Sequence, residues 1–229
     1  MGGGPDTTSS GLLEPFRVEV KLHARARRPR VVVVLFDHQG SAGRYLPEYV
    51  RALGDAEPVL VQRGRSVAPE AFADVDGIAI GGGPTPEYLA GLSGAGPAIR
   101  AAVTSGVPYL GFSAGAMIAP DTALIGGYQS AGYDVCPKEW SEGLDSITVR
   151  PGLGLVSFGV DVHTAQAGTL GRTIALVESG EVPSAVGIDE DTCLTLNTPN
   201  PTLDNHTITG TGTIWRVTPS PITITRGEA

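Results

Sequence analysis

The stretch Tyr109-Leu110-Gly111-Phe112-Ser113-Ala114-Gly115-Ala116 sets a serine between two glycines, where the strand-like run from Val107 to Gly111 stops and a helix-like run starts. A serine in a G-x-S-x-G at such a junction sits on a turn so sharp that flanking side chains would collide, so small neighbours are needed. The hydroxyl is left standing above the end of a strand. The N–H groups that open the following helix point at the same place and can hold negative charge there.

Working outward, the chain alternates strand and helix patterns on the N-terminal side of this turn. Arg30-Val31-Val32-Val33-Val34-Leu35-Phe36 is a near-continuous apolar run, the sign of a strand covered on both faces. Leu46 to Leu53 has helical spacing, Pro58 to Val61 reads as strand, Pro69 to Phe72 as a short helix and Gly77 to Ile80 as strand. Gly81-Gly82-Gly83 ends that strand, and Thr85 to Leu92 and Ile99 to Ser105 read as helices. From Leu124 onward short strands and turns dominate, ending with Leu194-Thr195-Leu196 and Thr213-Ile214-Trp215-Arg216-Val217. The expected fold is α/β: a three-layer sandwich with a mostly parallel sheet flanked by helices, extended by antiparallel strands in the C-terminal half. Residues 1–15, rich in Gly, Ser, Thr and Pro, are expected to form a flexible tail, and 16–229 a single domain.

Composition narrows the classes of function. With 229 residues, 41% of them hydrophobic, the chain can bury one substantial core. Its net charge of −8 disfavours a phosphate-neutralising surface, so nucleic acid is not an expected partner. Lys21, Arg25, Arg27, Arg28 and Arg30 do cluster, but they lead straight into the first buried strand without interleaved aromatics and read as a solvated edge. Cys136 and Cys193 lie far apart, outside any metal-ligand spacing, and are expected as free thiols. The opening residues lack the basic head and apolar core of a secretory signal, and no apolar run is long enough to cross a bilayer. A cytoplasmic protein without membrane partners is the expectation.

A serine hydroxyl needs a base within hydrogen-bond reach to act as a nucleophile. His23 and His206 lie in polar surroundings that suit a surface role, whereas His38 follows the first strand and could line a pocket. His163, in Val160-Asp161-Val162-His163, is the strongest base candidate. A third group should orient the imidazole, and Gly187-Ile188-Asp189-Glu190-Asp191-Thr192 places three carboxylates together. As a strand, this segment would put Asp189 and Asp191 on one face and Glu190 on the other.

Taken in order, Gly81-Gly82-Gly83, Gly111-Phe112-Ser113-Ala114-Gly115-Ala116, Gly152-Leu153-Gly154-Leu155 leading to Asp161-Val162-His163, and Gly187-Ile188-Asp189-Glu190-Asp191-Thr192 resemble the serine peptidases that include cyanophycinase and aspartyl dipeptidase (peptidase E). That family has a class I glutamine amidotransferase-like fold with serine where those enzymes carry cysteine. The resemblance implies Ser113 as nucleophile, His163 as general base and Glu190 as the third member. In the dipeptidase branch an Asp soon after the serine takes the third role, and Asp121 or Asp134 would be its counterpart here. Ala114 and either Gly82 or Gly83 are the implied oxyanion-hole donors. The implied reaction is hydrolysis of amide bonds in small peptides or peptide-like substrates through an acyl-enzyme, without a metal or organic cofactor. The resemblance leaves room for a homodimer.

The chain also departs from the pattern. Thr164 stands where relatives carry an aromatic after the histidine, Val162 replaces a glutamine, and of the arginines that follow only Arg172 is retained. An arginine clamps a carboxylate well, so these changes point away from an acidic substrate. They also keep open a non-catalytic relative that binds a ligand or partner, and an acyl-transfer or ester-cleaving enzyme of specialised metabolism. The turn-rich segment Tyr128 to Trp140, carrying Tyr, Trp and Lys, is a further place for specificity.

Overall fold

The computed structural model describes residues 1–3, 10–25, 27–54, 56–197, 201–219 and 221–228. After helix α1 (Ser10–Ala24), strand β1 (Val31–Phe36) is buried along nearly its whole length. Its β-branched residues suit a pleated surface covered on both sides, and alternate side chains enter opposite layers. Val31, Val33 and Leu35 pack with Leu12, Leu13, Phe16 and Val20 of α1 and with Tyr49 of α2 (Ala42–Leu53). Val32 and Val34 pack instead with Tyr88, Leu89 and Leu92 of α3 (Thr85–Leu92) and Ile99 of α4 (Gly96–Thr104). One strand thus defines three layers.

β1 pairs in parallel with β2 (Ala56–Val61) and β3 (Gly77–Ile80), and β3 with β4 (Tyr109–Gly111), giving the order β2-β1-β3-β4. Pro58 is tolerated inside β2 because that strand is at the edge, where no ladder partner needs its missing N–H. After the one-turn helix α5 (Ala114–Met117), β5 (Thr122–Gly126), the hairpin of β6 (Gln129–Ser130) with β7 (Tyr133–Asp134), and β8 (Thr148–Pro151) make small antiparallel pairs. Strand β9 (Gly159–Val162), helices α6 (Thr164–Ala167) and α7 (Leu170–Glu178), β10 (Ala185–Ile188), the ribbon of β11 (Thr192–Leu196) with β12 (His206–Gly210), β13 (Thr213–Thr218) and β14 (Thr223–Glu228) complete the chain. The second sheet has the order β14-β13-β10-β9, parallel only between β9 and β10.

The fold is therefore the expected α/β architecture, with parallel strands flanked by helices and antiparallel strands in the C-terminal half. Among the described residues hydrogen bonding gives two four-stranded sheets beside the small pairs, with β4 at one end of the first and β9 at one end of the second.

The expectation of a loose segment over residues 1–15 is corrected at both of its described ends. Helix α1 begins at Ser10, and Leu12 and Leu13 are only 4% and 3% exposed. Met1 is also buried. A Gly- and Ser-rich composition concealed this because the tripeptide docks through its backbone, and the two leucines supply the apolar face that seats α1. Residues 4–9 lie outside the described residues.

Two buried carboxylates hold layers together. Asp76, fully buried, accepts from the Arg30 backbone N–H (2.9 Å) and from Arg27 Nη1 (2.8 Å), with His23 Nδ1 at 3.1 Å. Burial alone would raise its pKa, but these donors outweigh it and hold the group below the usual aspartate value. Asp161 makes the second, described below. Cys136 and Cys193 are both free and buried. Among the described residues no helix is long and apolar enough to cross a membrane.

Candidate active site

The tight turn after β4 is built as its sequence requires. Ser113 has φ 51° and ψ −111°, a conformation that costs a non-glycine residue free energy. A Cβ at position 111 would lie 2.6 Å from the Gly115 carbonyl oxygen, and one at 115 would lie 2.2 Å from that of Ile80. Nothing larger than glycine fits at either place. Tyr109 Oη donates to the Gly115 carbonyl (2.6 Å) and fastens the turn from below.

His163 sits at the corresponding turn between β9 and α6, also with positive φ (56°). Ser113 Oγ is 2.8 Å from His163 Nε2, and His163 Nδ1 is 2.7 Å from Glu190 Oε1. A carboxylate can only accept, so Nδ1 carries the proton and donates it, leaving Nε2 to accept from the Ser113 hydroxyl. The His163 and Glu190 side chains are 14% and 21% exposed, shielded enough to strengthen the pair.

Glu190 reaches this position because its neighbours are pinned. Asp189, 4% exposed, accepts from Ala165 N–H (2.9 Å), Trp215 Nε1 (2.9 Å) and Thr213 N–H (3.0 Å). Asp191 takes a positive φ of 51°. The Glu190 N–H donates to Gln166 Oε1 (2.9 Å), joining the turn to α6.

The other sequence candidates lie elsewhere. Asp134 is exposed and accepts from Gln129 Nε2 (2.8 Å), while Asp121 is exposed beside β5. His23 is spent on Asp76, and His206 Nδ1 lies 2.9 Å from the Leu203 carbonyl oxygen. His38 is exposed in the turn after β1.

Backbone donors near Ser113 form a short set. A Cβ on Gly82 would lie 3.3 Å from that of Ser113, so the glycine turn after β3 passes directly beside the serine. The Tyr49 hydroxyl lies against the same turn, 3.0 Å from where a Cβ on Gly81 would be. In α5, Gly115 N–H is taken by Phe112 and Gly81 carbonyls, and the Ala116 and Met117 N–H groups return to Ser113. Among the described residues, the N–H groups of Gly82, Gly83 and Ala114 have no such partner. Because α5 is a single turn, a helix dipole adds little and the local donors matter.

The segment between Ser113 and His163 closes over the site. The Trp140 ring lies 4.9 Å, centroid to centroid, from the His163 ring. Glu142 Oε1 accepts from Thr85 Oγ1 (2.9 Å) and the Thr85 N–H (3.2 Å), bridging this segment to the start of α3. Glu142 as a residue is exposed, but its carboxylate is enclosed by protein, and desolvation outweighs the Thr85 donors and the nearby Arg172 and His163 to raise its pKa. Trp140 was marked by the turn-rich composition of its segment. Glu142 carried no sequence signal, since its role arises only from the long-range contact with Thr85.

Arg172, 2% exposed, anchors this segment. Its Nε and Nη2 donate to Asp161 (2.9 and 2.7 Å), and its Nη1 donates to the carbonyls of Trp140 (2.6 Å) and Gly127 (3.3 Å). The retained arginine is thus committed inside the protein. Thr164, 1% exposed, packs toward Gly187, where an added Cβ would lie 2.6 Å from Thr164 Oγ1. The aromatic contact to His163 comes from Trp140 instead.

Residues 60–200 match the model of peptidase family S51. A solved structure of a protein from Listeria monocytogenes EGD-e, assigned provisionally to peptidase E, superposes with a TM-score of 0.52 at 18% identity, covering 86% of this chain and 95% of that one. That likeness concerns the fold. The family match spans the turn of Ser113, the imidazole of His163 and the carboxylate of Glu190 together, and the chain belongs to peptidase family S51.

Proposed function

We propose that this protein is a serine peptidase or amidase that cleaves small peptides or peptide-like amides through an acyl-enzyme on Ser113. The observation that carries the reading is the continuous hydrogen-bonded line from Ser113 Oγ through the His163 ring to Glu190 Oε1. As Oγ attacks the amide carbonyl, His163 Nε2 takes its proton, and Glu190 stabilises the imidazolium that results. The N–H groups of Ala114 and of Gly82 or Gly83 would hold the oxyanion. His163 then protonates the leaving amine, and water cleaves the acyl-serine by the same steps reversed.

On the substrate side, Arg172 is occupied by Asp161 and the Trp140 carbonyl, so it does not serve as a carboxylate clamp. Trp140 and the Glu142 segment stand beside His163, and an apolar or uncharged first residue suits them better than an acidic one. A panel of dipeptides with acidic, basic and neutral first residues tests this. The expected result is amine release from the neutral members that disappears in Ser113→Ala. Turnover that persists in Ser113→Ala would refute the nucleophile, and a preference for aspartyl dipeptides would refute the specificity.

A further inference from the structure

We infer that Met1-Gly2-Gly3 is a positioning strap for the site, which holds the loops of Ser113, His163 and Glu190 in register. These three groups follow different strands, and β4 and β9 end two separate sheets, so no strand ladder among the described residues ties Ser113 to His163. The tripeptide supplies that tie through its backbone. The Ser113 N–H donates to the Met1 carbonyl (3.1 Å), the His163 N–H to that of Gly2 (3.2 Å) and the Asp191 N–H to that of Gly3 (3.0 Å). In return Gly2 N–H donates to the Thr192 carbonyl (3.1 Å), and the Met1 amino group to that of Gly111 (2.7 Å).

Packing makes the fit specific. The Met1 side chain, 6% exposed, joins the core formed by α1, β1 and Leu110. A Cβ on Gly2 would lie 1.9 Å from the Asp189 carbonyl oxygen. Gly3 has φ 92°, and a Cβ there would lie 2.2 Å from His163 Cε1, so the strap backbone rests directly on the imidazole. A segment that blocked the site would occupy the serine hydroxyl or the oxyanion donors. Here Ser113 Oγ keeps its 2.8 Å contact to His163, and the Gly83 and Ala114 N–H groups have no backbone acceptor among the described residues.

The catalytic consequence rests on the reading of Ser113 as nucleophile, so the test has one arm that does not. The full chain, with Met1 confirmed by intact mass, is compared with a variant lacking residues 1–3 and with Gly3→Ala. In the first arm, fluorophosphonate labelling at Ser113 slows by about 100-fold in either variant while circular dichroism shows the fold intact, because displacement on the order of 1 Å costs that much in a reacting constellation. In the second arm, 15N-detected imidazole resonances report His163 directly: the full chain shows one tautomer protonated at Nδ1, and the variants show an averaged ring. Native-rate or faster labelling in a folded variant, or an unchanged imidazole spectrum in Gly3→Ala, would overturn the strap. If the full chain itself does not label, the nucleophile reading fails and the imidazole arm still decides the strap.

Discussion

Ser113 and His163 are held in backbone conformations that non-glycine residues adopt at a cost of about 1–3 kcal/mol each. These two positions fall at the two ends of one hydrogen bond. Glu190 is the third member of the line by contact, whereas Asp134 is engaged with Gln129. Glu190→Gln is accordingly expected to lower kcat by about 10²–10⁴-fold, since a neutral amide neither fixes the tautomer nor balances the imidazolium. Asp134→Asn and Asp121→Asn should retain native kcat, and steady-state kinetics on any cleaved dipeptide checks all three. Trp140→Ala removes a ring contact worth about 0.5–1.5 kcal/mol, so kcat/KM should fall by roughly 2–12-fold with Ser113 still competent. The three residues of this hydrogen-bonded line were legible in sequence because each sits in a short motif. Gly111 and Gly115 are required by contacts of 2.6 and 2.2 Å that a Cβ would make, and the G-x-S-x-G spacing announces that crowding.

At the scale of elements, α7 is tied to the segment covering the site through Arg172. Its pairing with Asp161 is buried on both sides, at 2% and 0% exposure. Removing one member of such a pair leaves the other charged and unpaired, at about 3–5 kcal/mol. For a chain of this length Arg172→Met should lower Tm by about 6–20 °C, measured by thermal unfolding. The loss of its bond to the Trp140 carbonyl should also loosen the ring beside His163, raising KM more than the melting change alone accounts for. Elements in the first half were readable because β-branched runs and helical spacing are local signals, as in β1 and α3. Two elements were not. The residues before Phe16 read as tail, yet Leu12 and Leu13 seat α1 on the sheet, a consequence of tertiary packing that overrides a Gly- and Ser-rich composition. The run after Ser113 read as helix and is a single turn, because Ile118 to Pro120 is drawn into contacts with Leu153 to Leu155 far along the chain.

At the scale of the whole molecule two four-stranded sheets come together, and the buried carboxylate of Asp76 links α1 to the first of them. The donors around Asp76 hold its folded pKa below the unfolded value of 3.8. Its contribution is therefore fully present above pH 3.8 and is lost as pH falls through the lower folded value. Asp76→Asn should be less stable than the native chain at pH 7, with the gap closing below about pH 4, as read from denaturant unfolding at a series of pH values. The α/β class was visible from the alternation of elements, but the division into two sheets was not, because strand order depends on which edges meet and no local pattern encodes that. The most direct test of the account is peptide mapping after reaction of the folded protein with a fluorophosphonate. The prediction is a single adduct on the peptide containing Ser113, absent in Ser113→Ala and strongly slowed in His163→Ala. A folded native protein that takes up no adduct, or takes it up at another residue, would contradict it.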